Sequence, residues 1–121
     1  MIHFKDCTDL TELTLSGTQV TNAGLANFKN CQKLTLIGLC NVSLDDVGFG
    51  YFKDCKNLIT LYLCHTQVSD ASLATIKNCK NLRTLDLRGT KVTQSGIGEL
   101  KKALPGCQIT WDSSAIEPKA K

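Results

Sequence analysis

Apolar and polar positions along this chain repeat with a fixed period of 24 residues. Aligned on Cys7, Cys31, Cys55 and Cys79, four segments read CTDLTELTLSGTQVTNAGLANFKN, CQKLTLIGLCNVSLDDVGFGYFKD, CKNLITLYLCHTQVSDASLATIKN and CKNLRTLDLRGTKVTQSGIGELKK. Three apolar columns follow each cysteine. They are Leu10, Leu34, Leu58 and Leu82; Leu13, Ile37, Leu61 and Leu85; and Leu15, Leu39, Leu63 and Leu87. The last two columns are two residues apart, the period of a strand. This predicts Leu13 and Leu15 facing inward and Glu12, Thr14 and Ser16 facing outward. A motif this short cannot bury its apolar face alone, so the copies must stack on one another with their strands side by side in a parallel sheet.

A second structural element follows in every copy. Val20, Leu44, Val68 and Val92 precede Thr21, Asp45, Ser69 and Thr93, residue types whose side chains accept hydrogen bonds from the first turn of a helix. Leu25, Phe49, Leu73 and Ile97 fall where an apolar residue staples back onto the one before the cap. Phe28, Phe52, Ile76 and Leu100 continue the buried stripe. Each copy therefore reads as strand, turn, short helix and return, giving an α/β solenoid. Lys29, Lys53, Lys77 and Lys101 lie at the helix C-termini, where a cation is favoured by the helix dipole and solvated.

The two ends depart from the repeat. The stretch IHFKD before Cys7 matches the end of a repeat, so residues 1–6 read as the close of a truncated upstream copy with Phe4 in a buried column. Residues 7–102 hold the four repeats. Cys107 follows Cys79 by 28 residues, which lengthens the last helix by about one turn. Pro105 and Gly106 then end that helix. Residues 103–111 form a cap strand with Ile109 and Trp111 on one face, and residues 112–121 are expected to be a mostly flexible tail.

The segments NLRTLDLRGTKVTQSGIGEL and LTELTLSGTQVTNAGLANF resemble the short bacterial leucine-rich repeats of pattern L-x-x-L-x-L-x-x-T-x-V-T-D-A-G-L. The resemblance runs from Cys7 to about Trp111. It implies a solenoid with the parallel sheet on a concave face, short helices on a convex face, and a terminal cap. Arrays of this kind are often attached to larger bacterial proteins, and the truncated upstream copy leads us to expect a fragment of such a protein. In such proteins the column Thr18, Val42, Thr66 and Thr90 is expected to hydrogen-bond turn backbone in a ladder along the stack, to which Val42 can contribute no side-chain donor.

Composition narrows the function classes. A net charge of +3 spread along the chain, with seven aromatic residues in 121, gives no basic, aromatic-rich patch for nucleic acid. No apolar run approaches the roughly 20 residues of a membrane-spanning helix, and MIHFKDCTDL lacks the features of an export signal. Six of the seven cysteines lie on the repeat lattice, a packing pattern that suits a reducing, cytoplasmic setting.

The outward columns carry the candidate chemistry. Tyr62, Asp86, Arg88, His65, Glu12 and Cys64 are the partner-binding candidates, with Tyr62 and Arg88 as anchors because Tyr and Arg dominate interface energetics. Cys40, Cys64 and His65 invite a zinc reading. Too few ligands and the nearby Arg88 cation argue against it, so neither metal nor cofactor is expected. A Cys40–Cys64 disulfide is disfavoured because its Cβ atoms must approach closer than in-register strands bring them. The column Cys7, Cys31, Cys55 and Cys79 reads as small core residues. No phosphate loop or paired nucleophile and base is present, so no enzyme is expected. The sequence reads as a protein-interaction module. The alternative is a self-assembling element that forms a homodimer through an exposed N-terminal end at Phe4, Leu13 and Leu15.

Overall fold

The computed structural model describes residues 9–112. Phe4, Cys7, the truncated upstream repeat and the tail beyond Asp112 lie outside the described residues. Five three-residue strands, β1 Glu12–Thr14, β2 Leu36–Gly38, β3 Thr60–Tyr62, β4 Thr84–Asp86 and β5 Gln108–Thr110, form one sheet in sequence order. All pairings are parallel and in register at the repeat spacing, so Leu13, Ile37, Leu61, Leu85 and Ile109 stand side by side.

The inward columns form a continuous core. Ile37, Leu61 and Leu85 are fully buried, as are Leu34, Leu58, Leu39 and Leu63. The cysteine column belongs to the same core and has an ordered use for its thiols. Cys55 Sγ donates to the Cys31 carbonyl at 3.3 Å, and Cys79 Sγ to the Cys55 carbonyl at 3.7 Å. Burial pushes the Cys55 thiol up to about 12. These sulfurs are therefore held as neutral thiols, as a packing role requires.

The helical segments grow along the stack. In the first two repeats the helices α1 Asn22–Leu25 and α2 Asp46–Phe49 each pass into a 3-10 turn, Ala26–Phe28 and Gly50–Phe52. The third and fourth repeats have continuous helices, α3 Asp70–Ile76 and α4 Gln94–Ala103. Caps form as expected at Asp45, Ser69 and Thr93, whose side chains accept from first-turn N–H groups. Thr21 differs, with no side-chain cap bond.

A cross-repeat contact at these caps explains the first and third residues after the V-T of the motif. Asp46, one position past its own cap, accepts from the Ser69 N–H at 2.8 Å and from the Ser69 and Ser72 hydroxyls at 2.5 Å. Asp70 repeats this with the Thr93 N–H at 2.9 Å and hydroxyl at 2.6 Å. Asn22 does so with Asp45, exchanging bonds with its backbone and side chain. Each repeat thus holds the cap of the next. A Cβ at Gly48 would run into Asn22 Oδ1, and one at Gly96 into the Asp70 carboxylate. Gly48 and Gly96 leave room for the neighbour's polar group.

Two expectations are corrected. Thr18, Thr66 and Thr90 donate not along the stack but to the carbonyl three residues earlier, that of Leu15, Leu63 and Leu87. A side chain that closes only its own turn can be lost without breaking the stack, and β2 keeps its register despite Val42. The Leu13 side chain is also not exposed. It is 6% exposed and joins the core cluster with Leu25, Phe28 and Ile37, while Leu15 is half-buried against that cluster. Trp111 and Ile109, on and beside β5, are half-buried against the core.

Leu61→Ala should cost about 2–5 kcal/mol and Thr60→Ala, half-buried beside it, under about 1 kcal/mol, as read from denaturant midpoints. Equal shifts would contradict the strand phase. A second outcome separates the glycine column from ordinary helical glycine. Glycine to alanine inside a helix normally gains about 0.5–1 kcal/mol. Gly96→Ala should instead destabilise the native chain, and stabilise it when Asp70→Ala is already present. A double-mutant cycle in urea measures the difference.

Candidate functional site

With the inward columns committed to packing, chemistry is left to the open face of the sheet. Its middle row is Thr14, Gly38, Tyr62, Asp86 and Thr110, one residue from each strand. Tyr62 is 39% exposed and stands in register between Gly38, which offers no side chain, and Asp86. Its ring is thus a large exposed apolar surface with a polar tip, the kind that anchors interfaces.

Asp86 and Arg88 lie two residues apart along one strand direction, so both face the same way. The Arg88 Nε and NH2 groups donate to the two Asp86 carboxylate oxygens at 3.0 and 2.8 Å, and the Arg88 N–H adds a third bond at 3.2 Å. This bidentate pair fixes the guanidinium. The hydrogen bonds from Arg88 hold the Asp86 carboxyl below its usual range despite its burial, with a further contribution from His65. Arg88 itself remains exposed.

His65 occupies a position with a backbone requirement. Gly17, Asn41, His65 and Gly89 all adopt left-handed φ, from 58° to 75°, at the turn that follows each strand. Two copies use glycine, which tolerates this geometry. Asn41 and His65 do not avoid its cost. The His65 imidazole covers Gly89, where any Cβ would strike the ring. Gly89 therefore serves twice, for its φ and for the room it leaves to His65. Glu12 is exposed on β1 at the opposite end of the sheet from Arg88 and belongs to a different row.

Cys64 departs from the expectation of an exposed contact residue. It is 8% exposed and bonded to Cys40, with the two Cα atoms 4.6 Å apart. The disulfide disfavoured on strand spacing is thus present. That separation lies inside the ordinary range of about 4.4–6.8 Å, and on a concave face side chains converge beyond their backbones. The column has a second use: Ser16 Oγ accepts the Cys40 N–H at 3.0 Å and Cys40 Sγ the Cys64 N–H at 3.1 Å.

The structure brings Tyr62, Asp86, Arg88 and His65 to neighbouring positions on β3, β4 and their turns and leaves Glu12 apart. Sequence reasoning missed Asp46 and Asp70 as cross-repeat acceptors, though their recurrence one residue past the cap carried the signal.

The leucine rich repeat family matches residues 32–92, and a second family of the same description matches residues 6–29. The chain belongs to the leucine-rich repeat proteins. Similar solved structures include an internalin C2 from Listeria monocytogenes, at TM-score 0.74 and 17% identity, covering 93% of this chain and 46% of that one. A leucine-rich repeat protein of Leptospira interrogans is similar at TM-score 0.67 and 27% identity, covering 84% of this chain and 25% of that one. The plant peptide hormone receptor RGFR1, in complex with RGF2, is similar at TM-score 0.61 and 21% identity, covering 90% of this chain and 18% of that one. The chain thus spans less than half of each of these structures. No curated protein matches it. No helix among the described residues is long and apolar enough to cross a membrane.

The Asp86–Arg88 pair has a pH signature of known sign. A carboxyl whose folded pKa lies below its unfolded value stabilises the fold above the unfolded value, and that contribution disappears as pH falls through the folded one. Arg88→Ala should therefore lower the urea midpoint at about pH 6 and make little difference at a pH acid enough to protonate Asp86 in both chains. An equal deficit at both pH values would show that Arg88 contributes by packing alone.

Proposed function

We propose that this chain is a non-catalytic protein-interaction module that receives a macromolecular partner on its concave sheet, around Tyr62 and Arg88. The observation that carries the reading is the exposed Tyr62 ring beside a guanidinium already fixed by Asp86. Both side chains offer large contact areas at reduced ordering cost, Tyr62 because its ring is rigid and Arg88 because its rotamer is already held. Repeat arrays stack into extended surfaces of the kind that receive other proteins. The plant receptor with the same fold is seen with RGF2, which supports such a role for the fold while leaving the partner of this chain open.

Self-association is the second reading. Among the described residues β1 has a strand neighbour on one side only, so it offers unpaired backbone groups as an edge. The burial of Leu13 removes one apolar residue from the proposed contact, leaving the edge itself and half-buried Leu15 as its support.

Affinity capture with the immobilised chain, followed by binding measurements on the purified partner, tests the first reading. Tyr62→Ala and Arg88→Ala should each weaken binding by tenfold or more, about 1.4 kcal/mol or above, while Lys53→Ala on the helical side should not. Loss on the helical side alone would place the interface there. A light-scattering mass that doubles with concentration, with no partner retained, would favour self-association.

A further inference from the structure

With the Cys40–Cys64 disulfide formed, its two sulfur atoms and an Asp86 carboxylate oxygen lie within 4.8 Å of one another, the one such three-residue group found among the described residues. The three side chains come from consecutive repeats and two adjacent columns. Asp86 stands in the row of Tyr62, a different one from that of the cysteines. The folded sheet brings its oxygen to the sulfurs.

The surroundings suit anionic sulfur. The Cys64 N–H already points at Cys40 Sγ from 3.1 Å, and such a bond strengthens when the sulfur is ionised. Arg88, expected from sequence to repel a cation, has its guanidinium turned onto the Asp86 carboxylate. Two thiolates and a carboxylate carry three negative charges, which a divalent cation and Arg88 together balance. The arginine then acts as an outer-shell partner that orients the carboxylate.

We propose that Cys40, Cys64 and Asp86 form a binding site for a thiophilic divalent cation of the zinc class when the Cys40–Cys64 disulfide is reduced. Two sulfur ligands select zinc or cadmium over magnesium or calcium, and three protein ligands leave a fourth position for water or a partner's atom on the concave face. Loading has two balanced steps. A dithiol reductant delivers two electrons and two protons to the Cys40–Cys64 bond and becomes a disulfide itself. The cation then displaces both thiol protons to solvent. With the sulfurs joined there is no thiolate to bind, so the site is confined to reducing conditions such as the cytoplasmic setting read from the sequence. It does not depend on the identity of a protein partner.

The test uses the full chain, reduced with dithiothreitol, desalted without oxygen and titrated with Co2+ while thiolate-to-cobalt charge transfer is followed in the near ultraviolet. The signal should saturate at one Co2+ per chain, be displaced by Zn2+ and be absent from the oxidised chain. Cys40→Ser with Cys64→Ser should abolish it, and Asp86→Asn should weaken affinity about tenfold or more, the loss typical even of an outer-shell partner. Cys107→Ser should change nothing. Circular dichroism establishes that each variant is folded, and Cys40→Ser alone serves as the ligand-loss variant if Asp86→Asn does not fold. No charge transfer in the reduced chain overturns the proposal. So does an equal signal in the double serine variant, or an unchanged affinity in Asp86→Asn.

Discussion

Every repeat of this solenoid completes its neighbour's hydrogen bonding, and the fixed 24-residue offset makes that possible. The strands do so through the parallel ladder, where the Leu39 N–H reaches the Tyr62 carbonyl and the Leu63 N–H that of Asp86. The buried cysteines do so through Sγ to carbonyl contacts. At the helix starts Asp46 and Asp70 do so by holding the next cap. Since a buried polar group without a partner costs about 1–3 kcal/mol, an insertion that broke the offset would orphan groups in all three layers at once. The longer last repeat is tolerated because its extra turn lies after Thr93, past the final cap that must be held from behind.

The fold was legible in the sequence because it rests on periodicity. Leucine columns two residues apart give the strands, cap residues give the helix starts, and Cys107 displaced from the lattice gives the longer α4. What was not legible lies in distances between columns. The sequence shows that Asp86 and Cys64 belong to different columns, but not that one carboxylate oxygen reaches the sulfur pair. It shows a threonine in three copies of the turn, but not that each hydroxyl closes its own turn. The chemistry of the concave face depends on side-chain directions that periodicity leaves free.

The left-handed turn illustrates how a backbone constraint shapes that face. Because the chain must leave each strand at positive φ, the column Gly17, Asn41, His65 and Gly89 is under a steric restriction that favours glycine. His65 is accommodated because the next repeat has glycine at the same position, leaving room for its ring. The imidazole is then held beside β4, close enough to favour the ionised form of Asp86. A residue outside any strand is in this way tied to the charge balance of the site.

The same face shows why stability and function separate by row. The inward columns are apolar and pack into the core whatever stands opposite them, so their choice is fixed by volume. The outward rows vary from Thr to Tyr to Asp along one register with no change in strand pairing, since parallel pairing is made by backbone. Substitution on this face alters what is presented while leaving the scaffold intact. Besides Ser16, whose hydroxyl accepts the Cys40 N–H, Cys40, Cys64 and Asp86 are the exception: their side chains join consecutive repeats, through a disulfide and a shared cluster. Those three positions therefore couple the state of the surface to the stacking beneath it, a coupling the Thr and Tyr positions do not have.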